Sequence, residues 1–205
     1  RALLALACAL VALAPGQAHA KSYTMPKVDI QAQVETDGAL QVTEQRTFDF
    51  DGDFSAVWWA FDGLPQNASL KINGVRMANV DADGTVVAMD DVADEAFVLG
   101  WRGIGRAGKD SYSFDAPKNS VYVFFNASDD RRIIELDYRV VNGAQAYSDI
   151  GEVYWKYVGS QWKEASDNVT MTLALPVPQV PRSCRERTCA HGSWTARRQV
   201  TVNAD

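Results

Sequence analysis

Histidine and cysteine are scarce in this chain, two and three in 205 residues. A zinc enzyme would have to draw its ligands from that stock, and a nucleophilic centre organised around a histidine base has little to build on. Basic residues are in the minority, 20 Lys plus Arg against 26 Asp plus Glu, for a net charge of -6. Phosphate backbones are bound by clustered Lys and Arg, so the balance argues against a nucleic-acid partner. After residue 20 no apolar run is long enough to cross a bilayer. Internal repeats and low-complexity linkers are also lacking. What is present, 47% apolar and 10% aromatic residues with 22% charged, is the composition of a folding chain rather than a disordered one.

The first twenty residues differ from the rest. Arg1 precedes a nearly unbroken apolar run from Ala2 to Ala14, then Pro15-Gly16-Gln17 and the small-x-small triplet Ala18-His19-Ala20. This pattern predicts a secretory signal peptide over residues 1–20, cleaved before Lys21. The expected mature chain, residues 21–205, keeps 19 basic and 26 acidic residues, one His and two Cys. Export makes a disulfide the expected state of Cys184 and Cys189, which lie in Ser-Cys-Arg-Glu-Arg-Thr-Cys. A metal site would need two more ligands where only His191 lies nearby, and a catalytic dithiol takes tighter spacing at a helix start. A loop this short is stiffened locally by its bridge.

Periodicity of two dominates the remainder. Val28, Ile30, Ala32 and Val34 alternate with polar residues, as do Ile134, Leu136, Tyr138 and Val140, and Val169, Met171, Leu173 and Leu175. Leu40, Val42, Phe48 and Phe50 share a strand face, Trp194, Ala196, Val200 and Val202 a final one, and Tyr122 to Phe125 is apolar on both sides, as in a central strand. Asn73-Gly74, Asp83-Gly84, Asn142-Gly143 and Asp129-Asp130 read as turns. These features predict a single all-β domain, mainly an antiparallel β-sandwich. One stretch departs: Ile150, Val153, Tyr154, Tyr157 and Val158 recur at helical spacing after Asp149, predicting a short helix near 150–158 that ends at Gly159.

Several phrases occur together in order. Tyr23-Thr-Met-Pro-Lys-Val-Asp-Ile30 precedes Asp37-Gly-Ala-Leu-Gln-Val-Thr-Glu44; Tyr147-Ser-Asp-Ile-Gly-Glu-Val-Tyr-Trp155, Asp167-Asn-Val-Thr170, Leu175-Pro176 and His191-Gly192 follow. In this the chain resembles the N-terminal part of the predicted membrane proteins called domain of unknown function 2207, over most of residues 23–204. The resemblance implies an exported β-rich domain on the extracellular face of the cell membrane, anchored by transmembrane helices beyond residue 205. It implies no activity, cofactor or catalytic residue, and the Cys184/Cys189 pair is not a general feature of the family.

Five groups of residues are candidates for chemistry. Glu44 and Arg46 interrupt the apolar face of Leu40, Val42, Phe48 and Phe50, where a buried charge needs a partner. They read either as a carboxylate held in a cleft or as an ion pair at a sheet edge or bulge that turns both outward. Asp49, Asp51 and Asp53 alternate around Gly52, but Phe54 and Ala60 stand where a calcium loop needs Gly and an acid, so a solvated turn is expected and no metal site. Asp90, Asp91, Asp94 and Glu95 form a second acidic cluster. Trp58, Trp59, Tyr154, Trp155 and Trp162 form the candidate binding surface, able to stack on sugar rings or anchor a protein. The alternative is that one of Trp58 and Trp59 fills the core while the other packs under a loop. His191 beside Ser193 lacks a nucleophile elbow and reads as a turn residue.

The expected function is that of a non-catalytic extracytoplasmic domain of a membrane-anchored bacterial envelope protein, acting by protein–protein or assembly contacts, without a cofactor. The alternative is a glycan-binding or glycan-cleaving domain using the Trp clusters and a carboxylate such as Glu44 or Glu152. Cleavage would need a second carboxyl group about 5–9 Å away.

Overall fold

A computed structural model describes residues 20–81, 85–86, 88–96, 110–147 and 151–176. The signal segment, the Cys184/Cys189 pair, His191 and the final strand face at Trp194–Val202 lie outside the described residues. The chain is all-β. The long strands are β1 (Ser22–Val34), β2 (Leu40–Asp51), β3 (Asp53–Ala60), β4 (Ser69–Val80), β8 (Ser120–Ser128) and β9 (Arg131–Val141). Shorter strands are β5 (Asp90–Asp91), β6 (Ala93–Asp94), β7 (Ser111–Asp115), β10 (Ala144–Ala146), β11 (Gly151–Val153) and β12 (Val169–Ala174). A 3-10 turn over Ala116–Lys118 is the sole helical element among the described residues.

Six strands form one sheet in the order β12-β1-β2-β9-β4-β5, four form a second in the order β3-β8-β7-β6, and β10 and β11 make a small ribbon. Pairing is antiparallel except for β1 with β12 and β6 with β7. Apolar side chains of both larger sheets enter one core. Phe48 of β2 meets Trp59 of β3 edge-on at 6.4 Å, and Phe50 of β2 lies 5.3 Å from Phe125 of β8. β8 is an inner strand with Tyr122 to Phe125 all buried, matching its two-sided apolar run.

The turns follow local chemistry in part. Between β1 and β2, Gly38 takes φ +80°, Asp37 Oδ1 accepts the Ala39 N–H at 3.0 Å, and Arg139 of β9 binds both Glu35 and Asp37. Asp129 (φ 49°) and Asn142 (φ 57°) turn the chain at either end of β9. Asn73-Gly74 makes no turn. It lies inside β4 as a bulge, the register slipping between Ile72 and Gly74 against β9. The Asn73 amide is drawn out to Asp137 Oδ1 (2.9 Å) and Gln41 Oε1 (3.3 Å), so its hydrogen bonds serve the sheet. Asp83-Gly84 lies outside the described residues.

The helix expected near 150–158 is corrected. Gly151–Val153 pairs with Ala144–Ala146 as β11, and the chain from Tyr154 to Val158 is irregular. Burial alternates along it: Val153, Trp155 and Tyr157 face inward while Tyr154 and Lys156 face out. That period of two is the extended conformation that β-branched and aromatic residues favour, and it overrides a five-residue coincidence with helical spacing. Asp149 lies outside the described residues. The segment from Tyr154 to Trp162, which bends at Tyr157 and Val158 and turns at Ser160 and Gln161, is an irregular strap laid over the core.

Candidate functional site

The strap covers a charged stretch of the core on β2. Along β2 burial alternates without a break from Leu40 to Phe50, so Glu44 and Arg46 point inward with their apolar neighbours and are 2% and 0% exposed. β2 is an inner strand and has no register slip at these residues: Glu44 lies opposite Ile30 and Leu136, Arg46 opposite Val28 and Ile134. The expectation of an edge pair or an outward bulge is thus corrected. With strands on both sides the ladder is complete, and the alternation leaves these side chains only the inner face.

The two charges pair with one another. Arg46 Nε donates to Glu44 Oε1, which also accepts the Trp59 indole N–H at 2.8 Å. Arg46 Nη1 reaches Ser166 Oγ at 3.2 Å and Met25 Sδ at 3.7 Å. The guanidinium carbon stands 4.7 Å from the centre of the Trp162 ring, a cation–π contact, and Trp162 in turn meets Trp59 edge-on at 5.4 Å. Beside them Tyr138 of β9 is buried, and its hydroxyl accepts the Trp155 indole N–H at 3.2 Å. Burial, reinforced by the negative charge of Glu44, holds the Tyr138 hydroxyl well above the ordinary phenol range. Burial alone pushes Tyr157 up to about 12. Both tyrosines are neutral across the physiological range.

Strap and core enclose a recess of about 270 Å³. Glu44, Arg46, Trp59 and Tyr138 form its floor, Phe61, Tyr154, Tyr157 and Trp162 its aromatic walls, and Asp62, Lys156 and Ser160 also line it. Four buried side-chain atoms here have no hydrogen-bond partner: Arg46 Nη2, Trp162 Nε1, Tyr157 Oη and Gln161 Oε1. Ser111 Oγ is the one other such atom among the described residues. Buried polar atoms without partners are few in native proteins, and four around one cavity point to a use for it. A more open hollow of about 330 Å³ lies where β3 and β8 slip register, lined by Asp53 to Ser55 and Asn126 to Ser128, and has no such atoms.

The other candidates fall elsewhere. Trp58 and Trp59 take opposite faces of β3, Trp59 2% exposed in the core and Trp58 42% exposed on the outside. Tyr154 is 76% exposed at the recess, while Trp155 and Trp162 are half-buried against the core. The five residues therefore do not form one surface: Trp59, Tyr154 and Trp162 line the recess, Trp155 supports Tyr138, and Trp58 stands apart. Glu152 is exposed and lies outside the recess. Asp49 is held by a forked ion pair with Arg131, and Asp51 and Asp53 are exposed at the Gly52 turn. Asp90 and Asp91 edge one sheet and Asp94 the other, which divides that cluster. No group of three or more potential metal ligands gathers among the described residues.

Tyr138, Phe61, Gln161, Ser166 and Met25 were missed as members of the site. Tyr138 carried a signal, since a hydroxyl on the otherwise aliphatic face of Ile134, Leu136 and Val140 must find a partner when buried. Ser166 and Gln161 carried none.

Fold and site together define an all-β domain with a strapped, aromatic-walled recess over a buried ion pair. Residues 24–205 match the family described as predicted membrane protein (DUF2207), N-terminal domain. The chain belongs to this family. No curated protein matches it. Among solved structures it is similar to a proposed protease of Parabacteroides distasonis, at 17% identity and a TM-score of 0.34 over 75% of this chain. The match covers 29% of that chain, and at this similarity nothing is carried across from it. No helix among the described residues is long and apolar enough to cross a membrane.

Proposed function

We propose that the chain is a non-catalytic extracytoplasmic recognition domain of a membrane-anchored bacterial envelope protein, and that the recess beneath the strap is where it binds. The observation that carries this reading is an aromatic-walled recess, four of whose lining side chains carry a buried polar atom without a partner. Binding rather than turnover is supported by the state of Glu44. Its Oε1 is already engaged by Arg46 and Trp59, so it is poorly placed to shuttle protons. Membership of a predicted membrane-protein family supports the anchored setting.

The test is incubation of the purified domain with envelope glycans and peptides, with products followed by mass spectrometry. The expected result is binding without product. Reproducible turnover that Glu44→Gln abolishes would sink the proposal. Orientation is tested by adding protease to intact cells that carry the full-length protein, where digestion from outside is expected.

A second reading, contact with a partner protein, is favoured by β3. This strand pairs with β8 alone among the described residues and presents Trp58 from its outer face. A photo-crosslinker at Trp58 that captures one defined envelope protein in cells would support it.

A further inference from the structure

We infer that the strap opens as one hinged unit, lifting off the Glu44–Arg46 pair while both sheets stay folded, and so gates the recess. This goes beyond the binding role proposed above and stands whether or not a ligand is found. The first argument is how the strap is held. Among the described residues no backbone hydrogen bond joins residues 155–162 to either sheet. The ends are fixed. Before the strap, Gly151–Val153 pairs with Ala144–Ala146, and the Ala144 N–H is held by Gly38 O at 2.8 Å. After it, Met25 O accepts the Asp167 N–H at 2.9 Å, Pro26 O accepts the Asn168 side-chain amide at 2.8 Å, and β12 runs along β1. A segment tied at both ends and nowhere along its backbone is one that opens by local rather than global unfolding.

Between these ends two tryptophans peg the strap to the core. Trp155 donates its indole N–H to Tyr138 and stacks on Phe61 at 6.1 Å. Trp162 covers the Arg46 guanidinium at 4.7 Å and meets Trp59 at 5.4 Å and Phe48 at 5.7 Å. The pegs touch different rings, and the direct link between them is the strap itself. Both, like Tyr157 and Val158, are only half-buried, so opening exposes less apolar surface than their size suggests.

The second argument is what closure costs. Of the five buried polar side-chain atoms without a partner among the described residues, three belong to the strap: Tyr157 Oη, Gln161 Oε1 and Trp162 Nε1. A fourth, Arg46 Nη2, belongs to the guanidinium beneath the Trp162 ring. Each forgoes its hydrogen bonds to water while the strap is down and regains them when it lifts, whichever way it points. The deficit falls on the segment with the fewest ties, so the closed state is favoured over the open one by a small margin.

Nothing on the outer side of the strap opposes the movement, since Tyr154, Lys156 and Ser160 are exposed already and stay in water in either position. Opening uncovers the floor of the recess, where Arg46, Glu44 and Trp59 are otherwise buried.

The test is deuterium exchange of indole N–H protons in the purified chain, followed by NMR with signals assigned from single Trp→Phe variants. Backbone amides of the inner strands β2 and β9 report global unfolding. The expected result is a protection of the buried Trp162 N–H roughly tenfold or more below that of the inner-strand amides. Low urea should scarcely alter it, since a local opening exposes little surface. Trp155→Phe keeps a ring but removes one peg's hydrogen bond, and should speed Trp162 exchange about threefold to tenfold without moving the β9 amides. Trp58→Phe is the unaffected control. Phenylglyoxal, which modifies accessible arginines, should label Arg46 at a rate that rises in step, as read by mass spectrometry. Trp162 exchange that matches the inner-strand amides in protection and urea dependence overturns the inference, because the strap then lifts only when the whole domain unfolds. An unchanged Trp162 rate in Trp155→Phe overturns movement as one unit, and absence of Arg46 labelling short of global unfolding overturns the gate. All three readouts are made without ligand, so a recess that binds nothing leaves them unaffected.

Discussion

Arg46→Met removes one member of the buried ion pair and keeps an unbranched chain in its place. Glu44 Oε1 would retain the Trp59 N–H at 2.8 Å but lose its counter-charge, and Trp162 would lose the cation stacked on it. Stripping one partner from a buried pair costs about 3–5 kcal/mol, because the remaining charge is left in a medium that solvates it poorly. Total stability for a domain of this kind is about 5–15 kcal/mol, so the loss is a large share of it. At about 2–4 °C per kcal/mol the melting temperature should fall by roughly 6–20 °C. The double replacement Glu44→Gln/Arg46→Met leaves no buried charge and preserves an acceptor for Trp59. It should recover most of the loss and give a coupling of about 2–3 kcal/mol in the double-mutant cycle. Urea unfolding followed by tryptophan fluorescence measures each midpoint, with a constant m-value confirming that native compactness is unchanged. A cost below about 1 kcal/mol for Arg46→Met, or additive single effects, would refute the reasoning, since neither is compatible with a guanidinium sealed in the core.

The two adjacent tryptophans of β3 should behave oppositely: Trp59→Ala should cost about 3–5 kcal/mol and Trp58→Ala about 0.5 kcal/mol or less, read from the same urea midpoints. Equal costs would mean that β3 does not divide them between core and solvent. Asp37 makes the β1–β2 turn sensitive to acid. The Ala39 N–H foremost, then Arg139, hold its carboxyl below the ordinary 3.8, so its stabilisation is present above that value and is lost as pH falls through the lower folded one. Melting curves of the protein and of Asp37→Asn should therefore converge on acidification; a constant gap from neutral pH to about pH 2.5 would contradict this. Gly52 sits at φ +89°, and a Cβ there would lie 2.9 Å from Lys21 Cβ, so Gly52→Ala should cost at least about 1–2 kcal/mol in thermal melts. A neutral substitution would show that the turn relaxes at no cost.

The strand framework was readable because burial in a sheet has a fixed period. Val28 to Val34 and Leu40 to Phe50 alternate in sequence as they do in burial, Ile134 to Val140 does so except at the buried Glu135, and the two-sided run at Tyr122 marked β8 as an inner strand. Errors arose where a local signal met a long-range partner. Asn73-Gly74 carries turn chemistry, but its amide is claimed by Gln41 and Asp137 of neighbouring strands. Tyr154 to Val158 matched a helix at a few positions, yet Trp155 is drawn inward by Tyr138 and Tyr157 by the recess. Two parallel pairings, β1–β12 and β6–β7, also had no sequence signal, because parallel neighbours are joined by no hairpin.

The site was half legible for a related reason. Glu44 and Arg46 stood out because charge breaks an apolar period, and Trp58-Trp59 because alternation must part them. The residues that complete the recess come from far along the chain, Ser166 being 120 positions from Arg46, and individually they are ordinary. Their meaning follows from counting the N–H groups of one guanidinium. Nε is taken by Glu44, Nη1 by Ser166 and Met25, and Nη2 by nothing, although the group is 0% exposed. A buried ion pair adds little stability over two apolar side chains of similar volume, and leaving a charged donor unmet makes it worse still. A core serving stability alone would do as well with leucine and methionine at 44 and 46. Keeping a charge there, covered by aromatics, with one donor unmet and a recess beside it, supports a role for the arginine beyond stability.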